Sequence, residues 1–223
     1  MTLKADDIYV ADDFAIIPAH APDRILGWTE ALRSSDDWIE IVPAIDTIAV
    51  SFDPLKTDLE LLPELIITQV SNASHSPSAE LPVAHIPICY AAELGLDQQY
   101  IADCLGLEPS ELPEWHCSQS FNVAMLGFLP GFAYLRGDQS QPDIPRLQVP
   151  RQSVSAGSVG VLGKQTGLYP IASPGGWPII GVTPVTLFDA KENNPALLSA
   201  GQKVRFHPIA LEEYETTLSA TLS

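Results

Sequence analysis

From residue 119 onward the pattern of the chain changes. Short apolar runs, "NVAMLGF", "SVGVLG", "TGLYPI", "WPIIGVTPVTLF" and "QKVRFHPI", alternate with Gly/Pro turns at close spacing. That pattern predicts an all-β barrel or sandwich. Gly201, in "SAGQKVRF", is placed for a tight turn between the last strands. Eleven of the 14 glycines lie beyond residue 121; only Gly27, Gly95 and Gly106 precede it. Clustered glycine is costly in backbone entropy, so it marks places where the chain needs unusual dihedrals or where another group comes close.

Charge divides the chain at the same point. Residues 1–120 carry 4 Lys/Arg against 21 Asp/Glu, whereas residues 121–223 carry 7 of each, for a total of −17. An acidic surface of this kind argues against nucleic acid as a partner. No apolar run is long enough to span a bilayer, and "MTLKADDIYV" lacks the basic and apolar regions of a signal peptide, so a cytoplasmic protein is expected. Cys89, Cys104 and Cys117 are odd in number and lack CxxC spacing, which predicts buried free thiols rather than a disulfide framework or a metal site.

The acidic part predicts an α+β unit over residues 1–82, ended by the small, polar linker "SNASHSPSAELP" (71–82). Ile8–Ile17 reads as one or two strands, Pro22–Arg33 as a helix, and "WIEIVP" and "TIAVSF" as a hairpin. "DPLKTDLELLPELIITQ" predicts a helix capped by Asp53 with Pro54 at its first position, kinked or divided at Pro63. This β-α-β-β-α order, followed by "HIPICY", fits a ferredoxin-like sandwich whose last strand lies past the linker. Residues 83–223 form the second expected domain, with two short helices inserted near 96–116, the second starting about Ser110.

Three apparent motifs fail on inspection. "GSVGVLGKQT" has five residues, not four, between Gly157 and Gly163, and Gln165 follows Lys164 where a P-loop needs Ser or Thr. "YIADCLGLEPSEL" has helix-turn-helix spacing but acidic flanks that phosphates would repel. "AGSVG" is not a nucleophile elbow, so Ser158 is at most a hydrogen-bond donor to a ligand.

Other residues carry more chemistry. His116, between the helices and the first glycine-rich strand, could move protons near neutral pH or could be structural. In "IPRLQVPRQ", each of Arg146 and Arg151 follows a proline, which aims two guanidinium groups from a stiff loop. They fit carboxylate, phosphate or carbamoyl recognition, or salt bridges to the acidic half. The loops "FNVAMLGFLPGFAYLRG" and "QTGLYPIASPGGWPIIG" are either tight barrel corners or the lining of a cleft. In a cleft, backbone N–H groups at Gly131, Gly175 and Gly176, with Gln165 and Thr166, would approach a small polar substrate while Phe132, Tyr134 and Trp177 exclude water. The same charge-poor loops predict a partner surface containing Phe128, Phe132 and Trp177.

Taken together, "LGFLPGFAYL", "AGSVG", "QTGLYP", "SPGGW" and "SAGQKVRF" resemble the KipI / allophanate hydrolase subunit 1 family, in order, from about residue 84 to 208. The resemblance implies a ferredoxin-like N-terminal region followed by a cyclophilin-like β-barrel. It implies one subunit of an ATP-dependent 5-oxoprolinase complex, inactive alone, that opens 5-oxoproline to L-glutamate. The implied partners are a homologous barrel subunit and a lactam-utilisation subunit, with ATP used by the complex and no metal. A KipI-type inhibitor of a histidine kinase and a carboxyltransferase lobe of a urea-carboxylase-type system are the alternatives within the same resemblance.

Overall fold

A computed structural model describes residues 3–71, 73, 81–138 and 140–221. The chain divides into two compact units, residues 1–80 and 81–223. The segment 71–82, expected as a linker, falls mostly outside the described residues.

The first unit contains β1 (Tyr9–Val10), β2 (Phe14–Pro18), α1 (Pro22–Arg33), β3 (Glu40–Pro43), β4 (Thr47–Ser51) and α2 (Leu62–Ser71). Its sheet runs β1-β2-β4-β3, antiparallel throughout. Alternation along β4 puts Ile48 and Val50 on the core face, where they meet Ile17, Leu32, Phe52, Leu62 and Ile66. Strand β2 followed by α1, β3, β4 and α2 has the ferredoxin-like order. The expected long helix from Asp53 is shorter than the sequence suggested. Residues 53–61 form turns, with the Asp53 carboxylate accepting the Leu55 N–H at 3.0 Å. Pro63 explains the difference. It lacks an N–H and would clash inside a helix, so it sits in the first turn of α2 instead of kinking a longer one.

The second unit contains β5 (Ala84–Cys89), α3 (Gln98–Leu105), α4 (Leu112–Ser118), β6 (Phe121–Leu126), β7 (Ala133–Arg136), β8 (Arg151–Val154), β9 (Ser158–Leu162), β10 (Gln165–Leu168), β11 (Ser173–Gly175), β12 (Ile179–Val182), β13 (Lys203–Ile209) and α5 (Leu211–Thr221). Seven strands close a barrel in the order β10-β7-β6-β13-β5-β12-β9, and β9 pairs back to β10. Strand β5, the "HIPICY" run, therefore belongs to the barrel and not to the first sheet, where β1 takes the fourth-strand place. The P-loop look-alike is the two-residue turn of the β9–β10 hairpin, with Gly163 at φ +59°. The helix-turn-helix look-alike packs on the barrel: Ile101, Ala102 and Leu112 are buried in its core.

Strand period then separates two faces of the barrel wall. Ala133 and Leu135 of β7, Val159 and Val161 of β9, and Leu168 of β10 belong to the barrel core. Phe132, Tyr169 and Ile179 form a separate cluster with Val154 of β8, and Tyr134 packs against it. The β8–β11 pair contributes this second layer.

Candidate functional site

Two polar centres stand out in the barrel unit. The first surrounds His116 in α4, which has no exposed surface. Its Nδ1 lies 2.7 Å from the Tyr90 hydroxyl and its Nε2 lies 3.0 Å from Thr166 Oγ1. The ring stacks on Phe206 at 4.7 Å and contacts Phe121 at 5.2 Å. Burial alone drives its pKa down to about 3 from 6.5, so the imidazole is neutral at physiological pH. The Tyr90 hydroxyl also lies 3.4 Å from Cys117 Sγ, and burial pushes its pKa up. Both ring nitrogens are occupied, and Thr166, an expected ligand contact, is one of the groups occupying them.

The second centre lies on the other face of the same strands. Phe132 has 1% of its surface exposed and anchors it. Its ring centroid is 4.7 Å from Tyr134, 5.0 Å from Tyr169 and 6.1 Å from Trp177, the last two edge-to-face. Glycine makes room for this layer. A Cβ on Gly167 would sit 2.8 Å from both Phe132 Cζ and Trp177 Cζ3, and one on Gly160 would sit 3.0 Å from the Trp177 Cβ. What comes close to these glycines is the protein's own aromatic rings.

Arg146 borders that layer. It is exposed, and its stem lies over Gly176, where a Cβ would come 3.1 Å from Arg146 Cγ. The loop is pinned by the Leu147 N–H donating to the Gly176 carbonyl at 2.9 Å. Burial raises the pKa of both Tyr134 and Tyr169, and the nearby Arg146 charge opposes the rise at each. Gly175 borders the Tyr169 hydroxyl: a Cβ there would lie 2.6 Å from it. In the same short strand, Ser173 Oγ is buried with no hydrogen-bond partner among the described residues.

The structure therefore brings Phe132, Tyr134, Arg146, Gly175, Gly176 and Trp177 together. The other expected residues sit elsewhere. Arg151 makes a two-bonded salt bridge to Asp97, at 2.8 and 2.9 Å, and the same carboxylate accepts the Ile179 N–H at 2.7 Å. This bridge pins α3 to β8 and β12. Gln165 opens β10 opposite Arg136 and Leu162. Gly131 packs on Phe188, 2.6 Å from where its Cβ would be. Trp177 and Phe132 are buried, so of the three aromatic residues expected on a partner surface only Phe128, 62% exposed, remains outside. Phe128 also has φ +72°, a left-handed conformation rare for a bulky residue. Tyr169, Tyr90 and Asp97 were missed by sequence reasoning. Tyr169 sits within "QTGLYP" and was within reach of it.

Residues 6–198 match the family described as carboxyltransferase domain, subdomain C and D. The chain belongs to that family. It is 36% identical over 187 residues to the B-type subunit of 5-oxoprolinase from Bacillus subtilis (strain 168), covering 79% of this chain and 78% of that protein. It is 37% identical over 186 residues to the B-type subunit of 5-oxoprolinase from Escherichia coli O157:H7, covering 83% and 84%. Its fold is similar to the urea carboxylase of Kluyveromyces lactis, with a TM-score of 0.79 at 18% identity, over 95% of this chain and 22% of that longer one. Among the described residues no group of three or more His, Cys, Asp or Glu could hold a metal ion, and no helix is long and apolar enough to cross a membrane.

Proposed function

We propose that this chain is the B-type subunit of an ATP-dependent 5-oxoprolinase complex that opens 5-oxoproline to L-glutamate. The observation that carries this reading is the identity of 36% and 37% to two bacterial 5-oxoprolinase B-type subunits over about four fifths of each chain. A lactam carbonyl is a poor electrophile. ATP would transfer its γ-phosphoryl group to the lactam oxygen with release of ADP, and water would add to the activated carbon. The C–N bond would then break to release the amine and leave an acyl phosphate, which a second water would hydrolyse to the carboxylate and inorganic phosphate. ATP would be held by another subunit, since the P-loop-like stretch is a β-hairpin turn.

In this reading the centre around Arg146 receives the substrate. The guanidinium would pair with the 5-oxoproline carboxylate. The Tyr134 and Tyr169 hydroxyls, protonated at neutral pH and held so more firmly by burial, would donate hydrogen bonds to the lactam, and the backbone at Gly175 and Gly176 allows close approach. Phe132 and Trp177 form the dry floor. His116 holds the barrel together and moves no proton to substrate.

The test is reconstitution with a homologous barrel subunit and a lactam-utilisation subunit. Glutamate formation from 5-oxoproline should need ATP and this chain together. Equal activity without the chain overturns the proposal. The fold likeness to urea carboxylase favours a carboxyltransferase lobe as the second reading. Carboxyl transfer from a biotinylated partner, with no lactam opening, would establish it instead.

A further inference from the structure

The first unit carries a cavity lined by none of the residues of the two barrel centres. It is a groove of about 520 Å³ between the segment before β3 and the turns leading into α2. Its apolar lining includes Trp38, Ile39, Leu61 and Leu65. Trp38 is fixed at the floor, because its indole N–H donates to Gln69 Oε1 at 2.9 Å. The aliphatic residues are left in water: Ile39 is 73% exposed, Leu61 63% and Leu65 36%. Leu61 lies in the turn just before α2 and Leu65 in its first turn, and both border the buried Leu62, which lines the groove with them. The apolar strip at the start of α2 thus extends past the part that its own unit covers.

The rim is acidic. Asp36, Asp37, Asp53 and Asp58 surround the groove, and its single lysine, Lys56, is held by Asp53 at 3.1 Å. Residues 1–80 carry 4 Lys/Arg against 15 Asp/Glu. A second copy of this chain would bring the same negative charge to the contact, and so would an anionic lipid surface or a nucleic acid. A strand added to the edge strand β3 is disfavoured by Pro43 at its end and by the groove being walled with side chains.

We propose that this groove is a docking site for a basic amphipathic helix of a partner protein. Aliphatic side chains at positions i, i+3 or i+4, and i+7 enter between Ile39, Leu61 and Leu65, and flanking lysines or arginines meet the aspartates on the rim. The site is independent of the Arg146 centre, so it stands or falls separately from the reaction assigned to the barrel.

The experiment uses the full chain and a synthetic 18-residue helical peptide with leucines on one face and lysines on the other. Two controls are a scrambled peptide of the same composition and a helical peptide with glutamate in place of lysine. Fluorescence anisotropy should show the basic helix binding at least tenfold more tightly than either control. Binding should weaken severalfold between 50 and 500 mM salt. Leu61→Asp and Ile39→Asp should each weaken it about tenfold while circular dichroism and the melting temperature stay unchanged; both residues are exposed, so folding should tolerate either change. Equal binding of the scrambled peptide, no binding of the basic helix, or undiminished binding to both variants overturns the proposal. So does sedimentation showing a dimer of this chain that Ile39→Asp dissociates.

Discussion

The two polar centres of the barrel unit use similar chemical groups on opposite faces of the same wall. Thr166 of β10 points to His116, and its neighbour Gly167 lies under Phe132 and Trp177. In the first centre every strong donor and acceptor is matched inside the protein, and the titratable ring has been forced neutral. In the second, a guanidinium at the surface stands beside two tyrosines over an apolar floor. A residue type suited to catalysis therefore says little by itself. What matters is whether its hydrogen-bonding capacity is already committed. Asp97 makes the same point about the two arginines, since it fully engages Arg151 and leaves Arg146 at the edge.

The largest effect that would sharpen this contrast is on stability at the closed centre. His116→Ala would open a cavity in the barrel core and leave the Tyr90 and Thr166 hydroxyls without their partner. A loss of about 3–5 kcal/mol is expected, read from urea denaturation. A variant within 1 kcal/mol of the parent would show that the centre is not structural. Trp177→Ala should cost a similar amount, about 3–5 kcal/mol, because the ring is buried against Phe132 and Tyr134. If that variant unfolds normally but fails only to assemble with its partner, Trp177 is an interface residue after all.

At the open centre the order of effects should reverse. Arg146→Ala should lower kcat/KM for 5-oxoproline about 10²-fold in the reconstituted complex, through KM, with the melting temperature little changed. An unchanged KM would remove Arg146 from the substrate site.

The pH dependence separates the centres again. Above pH 6.5 the ring is neutral in both the folded and unfolded chain. Between 6.5 and about 3 the unfolded chain takes up a proton that the folded chain refuses. Stability must therefore fall as pH drops through that window, by up to about 1.4 kcal/mol per pH unit from this group. Comparing unfolding at pH 7 and pH 5 tests it: His116→Gln should flatten the slope. The smallest effect is expected at Phe128. Replacing it with glycine should relieve the left-handed backbone and raise stability by about 1 kcal/mol, offset in part by the lost edge-to-face contact with Phe132 at 5.5 Å. A lower melting temperature would mean that the ring contributes more than the strain costs.

Local signals in the sequence were legible. Pro22 opens α1, the "WIEIVP"/"TIAVSF" pair is the β3–β4 hairpin, and Gly201 at φ +83° makes the turn before β13. Non-local ones were not. Nothing near "HIPICY" indicates that its neighbours are β12 and β13, and the two-stranded β8–β11 layer consists of short segments with weak alternation. Helix α5 has mostly exposed side chains, so it offers little hydrophobic pattern to read. The same limit governs the sites. Side chains that meet across 50 or more residues, as His116 with Thr166 and Arg151 with Asp97 do, leave no spacing for a motif to capture.

Strand β5 has a kinetic consequence. It emerges first among the barrel strands, yet both its neighbours are made much later: Ala84 pairs with Val204, and Cys89 with Val182. During synthesis this apolar strand must wait, with both edges open, until nearly the whole second unit has left the ribosome. Closure over so long a loop is slow, and an open apolar strand is prone to pair with other chains meanwhile. The first unit has no such debt, because its strands pair within residues 9–51. It can finish folding while the barrel is still being made, and the acidic residues it carries would then keep the nascent chain in solution during the wait.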